Sequence, residues 1–212
     1  MIDVNTIFFD VDGTLVDARD DIANAVNYTL TKLGLKKRPM KSIVSYIGTG
    51  VKDLIAKSLG SKNSALSGEA VEIFSRYYVD HSADDAKLYP HTQEVLEYFK
   101  DKRKIILTNR YSKFADITLI KLGIRHYFEG IIGGDDESCL KPSACVLDTF
   151  SPKLDKDKAI IVGDMDIDIM TGKNSGVKTC WVTYGLGKSK DVRKLKPDFV
   201  IDDMLELESI IQ

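Results

Sequence analysis

Cysteine is scarce in this 212-residue chain: there are three, Cys139, Cys145 and Cys180, and no CxxC pair. An odd number at irregular spacing predicts no disulfide framework and reduced thiols in a cytoplasmic protein. Histidine is as scarce, with His81, His91 and His126 scattered, which argues against a zinc site. No long apolar run occurs, and Asp3 and Asp10 surround the first short one without a basic flank. Neither a membrane span nor a signal peptide is expected. An excess of one charge is also missing, since 30 basic residues face 32 acidic ones. The basic clusters at Lys36, Lys37, Arg38 and Lys41, and from Lys188 to Lys196, have no aromatics among them. They read as solvated surface, so neither nucleic acid nor a membrane is an expected partner.

What the chain does have is 43% hydrophobic residues, enough for a sizeable core. Short, mostly unbroken apolar runs recur at Ile7–Val11, Lys104–Thr108, Ile131–Ile132, Ala159–Val162, Thr179–Thr183 and Phe199–Ile201. Unbroken runs mark strands covered on both faces, as in a parallel sheet. Helical patterns at Gln93–Lys102, Lys113–Leu122, Ser143–Phe150 and Asp166–Ser175 alternate with them. The alternation predicts an α/β fold, a doubly wound parallel sheet of Rossmann-like type.

One interval breaks the rhythm. Ile22, Val26, Leu30 and Leu33 keep helical spacing up to Gly34, Val51, Leu54, Ile55 and Leu59 do so up to Gly60, and Val71, Phe74 and Tyr78 form a third face. Residues 18–85 therefore read as an inserted all-helical cap domain, and 1–17 with 86–212 as the α/β core domain.

In an open parallel sheet, ligands sit beyond the carboxyl ends of the strands. The residues expected there are Asp10, Asp12, Gly13 and Thr14; then Thr108 and Asn109; then Lys141 before Pro142; then Asp164, Asp166 and Asp168. Clustered carboxylates repel one another unless a cation joins them, and Mg²⁺ prefers oxygen ligands. Asp10 and Asp164 are the best side-chain ligands, and Asp168 is a ligand or a supporting group. The Thr108 hydroxyl, backbone N–H groups and the Lys141 ammonium suit phosphate oxygens. A carboxylate is a competent nucleophile toward phosphorus once cations offset the repulsion. Asp10 takes that part, forming an aspartyl-phosphate. Asp12, on the same side of the chain, protonates the leaving alcohol and later takes a proton from water.

The segments "DVDGT", "TN", "KP" and "GDMDID" occur in the order and spacing of the haloacid dehalogenase-like phosphatases, which the chain resembles over nearly its whole length. "DDIANAVNYTLTKLGL" and "YIGTGVKDLI" resemble the phosphoglycolate phosphatase branch, whose cap follows the first strand. The resemblance implies Asp10 as nucleophile and Asp12 as acid/base. It implies Mg²⁺ on Asp10, Asp164, Asp168 and the Asp12 backbone carbonyl, with Thr108, Asn109 and Lys141 holding phosphate. It implies a small phosphate ester as substrate, with 2-phosphoglycolate favoured, and a monomer or homodimer. Met165 stands where a small hydroxyl residue is common, and Ser143-Ala144 where a second proline is frequent.

Blander readings exist for each part. Asp12-Gly13 is a common turn pair, Thr108-Asn109 a common helix cap, and acids such as Asp166 are favoured in a helix's first turn. Asp135, Asp136 and Glu137 read as a solvated loop, and Trp181, Tyr77 and Tyr78 as packing. "GTGVKD" follows no strand, so it is not a dinucleotide site. As a turn between cap helices, its Gly48, Thr49, Gly50 and Lys52 are candidates for selecting the substrate. Other readings are a sugar-phosphate mutase, a pyrophosphatase, a dehalogenase, which has no use for Asp12, and a receiver-like signalling module, whose motif order differs.

Overall fold

The computed structural model describes residues 1–148 and 154–212. Eight strands are present among them: β1 (Thr6–Phe9), β2 (Val16–Asp17), β3 (Lys87–Leu88), β4 (Arg103–Leu107), β5 (Gly130–Ile132), β6 (Ala159–Gly163), β7 (Lys178–Val182) and β8 (Phe199–Ile201). Six form one parallel sheet in the order β5-β4-β1-β6-β7-β8, with β1 central. This is the doubly wound α/β sheet that the apolar runs predict. Alternation within those runs feeds two cores. Ile7, Phe9, Ile106, Ile160 and Val162 pack on one face, and Phe8, Ile105, Leu107 and Ile161 on the other.

Between β2 and β3 the described chain is helical: α1 (Arg19–Lys32), α2 (Met40–Val44), α3 (Val51–Leu59) and α4 (Ser67–His81). The rest contribute α5 (Thr92–Tyr98), α6 (Ser112–Lys121), α7 (Cys145–Asp148), α8 (Asp166–Ser175), α9 (Ser189–Lys194) and α10 (Leu207–Ile210). The expected helix at Ser143–Phe150 appears as α7, and its last two residues lie outside the described residues. α5 stops at Tyr98, earlier than its periodicity suggests. The buried Lys104 ammonium donates to the Phe99 and Lys102 carbonyls there and holds the turn into β4.

The pairing of β2 with β3 is antiparallel, Val16 opposite Leu88 and Asp17 opposite Lys87. This two-residue ribbon is too short to leave a pattern in the sequence. It sets the outgoing and returning chain side by side, helped by Tyr89 N–H donating to the Leu15 carbonyl at 3.0 Å. Asp21, buried in the first turn of α1, completes the junction. Its two oxygens accept the Asp85 and Ala86 backbone N–H groups, each at 2.9 Å. Asp21→Ala strips both donors of their acceptor and is expected to lower stability by about 1–3 kcal/mol, read from denaturant unfolding. An unchanged midpoint would mean that solvent satisfies those groups.

Candidate active site

β1 ends buried at Phe9, and the chain then turns over the sheet edge. The N–H groups of Thr14, Leu15 and Val16 all point back to the Val11 carbonyl, at 3.3, 3.1 and 2.9 Å. The turn needs Gly13. Its φ is +95°, and a Cβ there would lie 2.3 Å from an Asp164 carboxylate oxygen. The chain thus brings the β1 loop against the acid that follows β6. Asp164 is fully enclosed. Thr14 Oγ1 donates to one oxygen at 3.2 Å, and the Leu186 and Gly187 N–H groups donate to the other at 2.6 and 3.2 Å. Trp181 does more than pack, because its indole N–H donates to the Asp164 carbonyl at 3.0 Å. The loop after β7 was missed from sequence; its signal is the "GLG" that follows a buried strand.

Lys141 reaches the same point from the β5–α7 loop. Its Nζ donates to Asp10 Oδ1 at 2.7 Å and to Asp168 Oδ1 at 2.6 Å, leaving one of its three N–H donors. Asp168 is oriented by its other oxygen, which accepts the Met165 N–H at 2.9 Å. Burial, with Asp168 and Asp12 adding to it, pushes the Asp10 carboxyl up to about 7 against the pull of Lys141. Burial and the neighbouring Asp10 and Asp168 raise Asp164 well above the usual carboxylate range. Burial opposes the Lys141 ammonium, but the two aspartates outweigh it and hold its pKa above the ordinary lysine value.

Oxygens of Asp10, Asp164 and Asp168 lie within 4.8 Å of one another. Fully ionised, three carboxylates and one ammonium carry net charge −2. A buried, oxygen-only, doubly negative set matches a hard divalent cation. Asp166 does not join it. Its carboxylate accepts the Ile167 N–H at the start of α8, as an acid of the first helical turn.

The "TN" pair divides its work. The Thr108 hydroxyl accepts the Arg110 N–H at 3.1 Å, keeping its own proton to donate toward the site. The Asn109 carboxamide is wholly committed to the chain. Oδ1 accepts the Lys141 N–H at 2.8 Å, and Nδ2 donates to the Lys141 and Gly48 carbonyls, each at 3.0 Å. Asn109 therefore positions the lysine loop and the α2–α3 turn, and its side chain has no donor left for phosphate. Arg110 was missed from sequence. Buried, it grips Asp12 with Nε at 3.0 Å and with Nη2. Its partner is 98 residues away in sequence, so no local pattern marks it.

Gly48 and Gly50 line the cavity above Asp10 and Asp12, opposite Met165. A Cβ on Gly48, whose φ is +110°, would lie 2.5 Å from Met165 Sδ, so the unusual Met165 packs against the turn. Thr49 and Lys52 line a neighbouring cleft instead. Thr49 donates to Asp53, and the Lys52 ammonium pairs with Glu137, which removes that acid from a purely solvated role. Asp135 accepts the Ser112 N–H at the start of α6. The expectation of three reduced thiols is also corrected. Cys139 and Cys145 are bonded, since the loop carrying Lys141 folds back to leave their Cα atoms 5.8 Å apart. Cys180 is free and buried. Among the described residues no helix is long and apolar enough to cross a membrane.

The family model for haloacid dehalogenase-like hydrolases matches residues 7–182. The phosphoglycolate phosphatase of Aquifex aeolicus is 34% identical, over 98% of this chain and 97% of its own. That of Haemophilus influenzae is 30% identical, over 97% of each. A crystal structure described as a predicted phosphoglycolate phosphatase from Haemophilus somnus superimposes with TM-score 0.90 at 25% identity, over 99% of each chain. A haloacid dehalogenase-like hydrolase from Streptococcus pneumoniae does so with TM-score 0.83 at 29% identity, again over 99% of each. The motifs gathered at one sheet edge and these matches lead to one conclusion: the chain belongs to the haloacid dehalogenase-like hydrolases, and it is a phosphatase of their phosphoglycolate phosphatase-like branch.

Proposed function

We propose that this phosphatase is a Mg²⁺-dependent phosphomonoester hydrolase of a small metabolite, 2-phosphoglycolate first among candidates, working through an aspartyl-phosphate on Asp10. The observation that carries the reading is the Lys141 ammonium bonded to one Asp10 oxygen at 2.7 Å, beside a buried acidic set fit for a divalent ion. The substrate assignment leans on the names of the matched relatives.

Lys141 takes only Oδ1, so Oδ2 of Asp10 is the attacking atom. It bonds to phosphorus as the bond from phosphorus to the ester oxygen breaks. Asp12 in its acid form gives its proton to that oxygen. A water oxygen then attacks phosphorus, Asp12 takes the water's proton, and the bond to Asp10 breaks, releasing phosphate and returning Asp10 to its carboxylate and Asp12 to its acid form. The remaining Lys141 donor and the Thr108 hydroxyl hold phosphate oxygens. Asp10, Asp164, Asp168 and the Asp12 carbonyl would hold Mg²⁺, which would supply charge stabilisation for the transferring phosphoryl group.

Residues 18–85 act as a cap over the core of 1–17 and 86–212, the two chain crossings forming the hinge, and closure keeps bulk water out. A cytoplasmic setting belongs to the same reading, because a multiply charged phosphate ester does not cross a lipid bilayer unaided.

Asp10→Asn is expected to cut turnover by at least about three orders of magnitude while circular dichroism stays unchanged. Retained hydrolysis would remove Asp10 from the nucleophile's place. EDTA is expected to stop phosphate release and added Mg²⁺ to restore it.

The same carboxylates set a pH dependence of stability in the metal-free protein. The folded chain holds the Asp10 proton up to about pH 7, whereas an unfolded aspartate releases it near 3.9. Asp164 is shifted in the same direction. The folded state thus binds more protons than the unfolded one across that window, so stability falls as pH rises from about 4 through 7. Thermal melts in EDTA should show this fall, saturating Mg²⁺ should reverse it, and Asp10→Asn should flatten it. Melts that rise with pH in EDTA would contradict the assigned electrostatics.

A further inference from the structure

The chemistry above gives Arg110 no part, yet it is a buried cation at the substrate cavity. Each nitrogen of its guanidinium has an acceptor. Nε and Nη2 engage the two oxygens of Asp12, and Nη1 donates to Thr118 Oγ1 at 3.0 Å. The guanidinium carbon lies 5.3 Å from the centre of the Tyr78 ring. That ring is wedged in turn against Phe74 at 5.1 Å and Phe114 at 5.3 Å. The fork is therefore fixed in plane and position, and it presents a bidentate carboxylate site at the cavity wall.

A second observation points to a ligand. Tyr78 is 1% exposed and lines the same cavity, and its hydroxyl has no hydrogen-bond partner among the described residues. Burial raises its pKa, so it keeps its proton and stays a donor. Enclosed polar groups rarely stay unpaired unless something else fills the site. Much of the remaining wall is apolar, from Ile22, Ile47, Leu54 and Phe74 among others, and Arg110 is the one cation among the described lining residues. Lys52 lies outside it. Both Asp12 oxygens are committed to the fork, so Asp12 must leave it to reach a leaving group.

We propose that Arg110 and Tyr78 form a carboxylate subsite, in which the substrate's own carboxylate takes the guanidinium fork from Asp12 and frees Asp12 to turn toward the ester oxygen. The inference rests on the phosphomonoesterase reading above and names what its leaving group must carry. The exchange is like for like: Arg110 keeps a bidentate anion, and the Tyr78 hydroxyl gains an acceptor. A neutral leaving group supplies neither, so it leaves Asp12 clamped and the hydroxyl unpaired. Recognition of the leaving group and release of the acid are then one event.

The test compares 2-phosphoglycolate with ethyl phosphate, which has a methyl in place of the carboxylate, on the full chain with Mg²⁺. Wild type should prefer the carboxylate ester. Arg110→Lys and Arg110→Gln should cut kcat/KM for 2-phosphoglycolate relative to ethyl phosphate by on the order of tenfold to a hundredfold. Tyr78→Phe removes only an unpaired hydroxyl, so it should fold normally. It should raise KM several-fold for 2-phosphoglycolate and leave ethyl phosphate unaffected. Calorimetry of 2-phosphoglycolate on Asp10→Asn, with and without Arg110→Lys, should show a matching loss of affinity. If Arg110→Gln fails to fold, the other two variants decide. Equal losses on both esters, with Tyr78→Phe unchanged, overturn the subsite and leave the phosphatase reading standing. A wild type without preference for the carboxylate ester does the same. A wild type that hydrolyses neither ester overturns the functional reading, and the subsite with it.

Discussion

The site depends on one ammonium group placed between two buried carboxylates. Lys141 lies within 2.7 Å of Asp10 and 2.6 Å of Asp168, with all three side chains almost wholly out of solvent. Such a cluster does not stabilise the fold by itself, because desolvation of each charge offsets the attraction. It persists because the loop carrying Lys141 cannot easily move. Asn109 takes both the N–H and the carbonyl of that residue, and its remaining donor goes to the Gly48 carbonyl. One carboxamide thus ties the charge cluster, the end of β4 and the turn before α3 into a single rigid unit.

Convergence of the acids follows from sheet register. Phe9 stands opposite Ile106 in β4 and Val162 in β6. The polar residues come one position later in β1 and two later in its neighbours, so Asp10, Thr108 and Asp164 emerge side by side above the same edge. Parallel pairing on both sides of β1 is what makes these three strand ends level. The apolar side chains below, split between the two faces, provide the burial that stabilises the sheet against the unfavourable charge density at its rim.

Strand ends, the carboxylates beyond them and the helical interval were legible because each leaves a local mark. β8 and α8 appear with the bounds that their patterns predict, Phe199–Ile201 and Asp166–Ser175. The β2–β3 ribbon left none, being two residues per strand. The Cys139–Cys145 bond was illegible because spacing along a chain does not say where a loop reverses. Arg110 and Tyr78 were hidden for a different reason. An arginine after "TN" and a tyrosine on an amphipathic helix both read as ordinary until the fold sets one over the other. Asn109 was found at its place with its carboxamide turned to the chain, since sequence places a residue at a strand end without saying where its amide points.

The two acids of the first motif are paired in opposite ways, and the difference matches the tasks proposed for them, Asp10 as nucleophile and Asp12 as acid/base. Lys141 binds Asp10 through one oxygen and leaves the other open, which in the proposed mechanism would lower the repulsion met by an incoming phosphate without blocking attack. Arg110 binds Asp12 through both oxygens and so competes with a substrate for them. A nucleophile must be ready at all times, but an acid/base group that stays covered until the right leaving group arrives protects the site from idle proton exchange. A single-point ammonium and a two-point guanidinium are chemically suited to those two tasks, and exchanging lysine and arginine between positions 141 and 110 would reverse them.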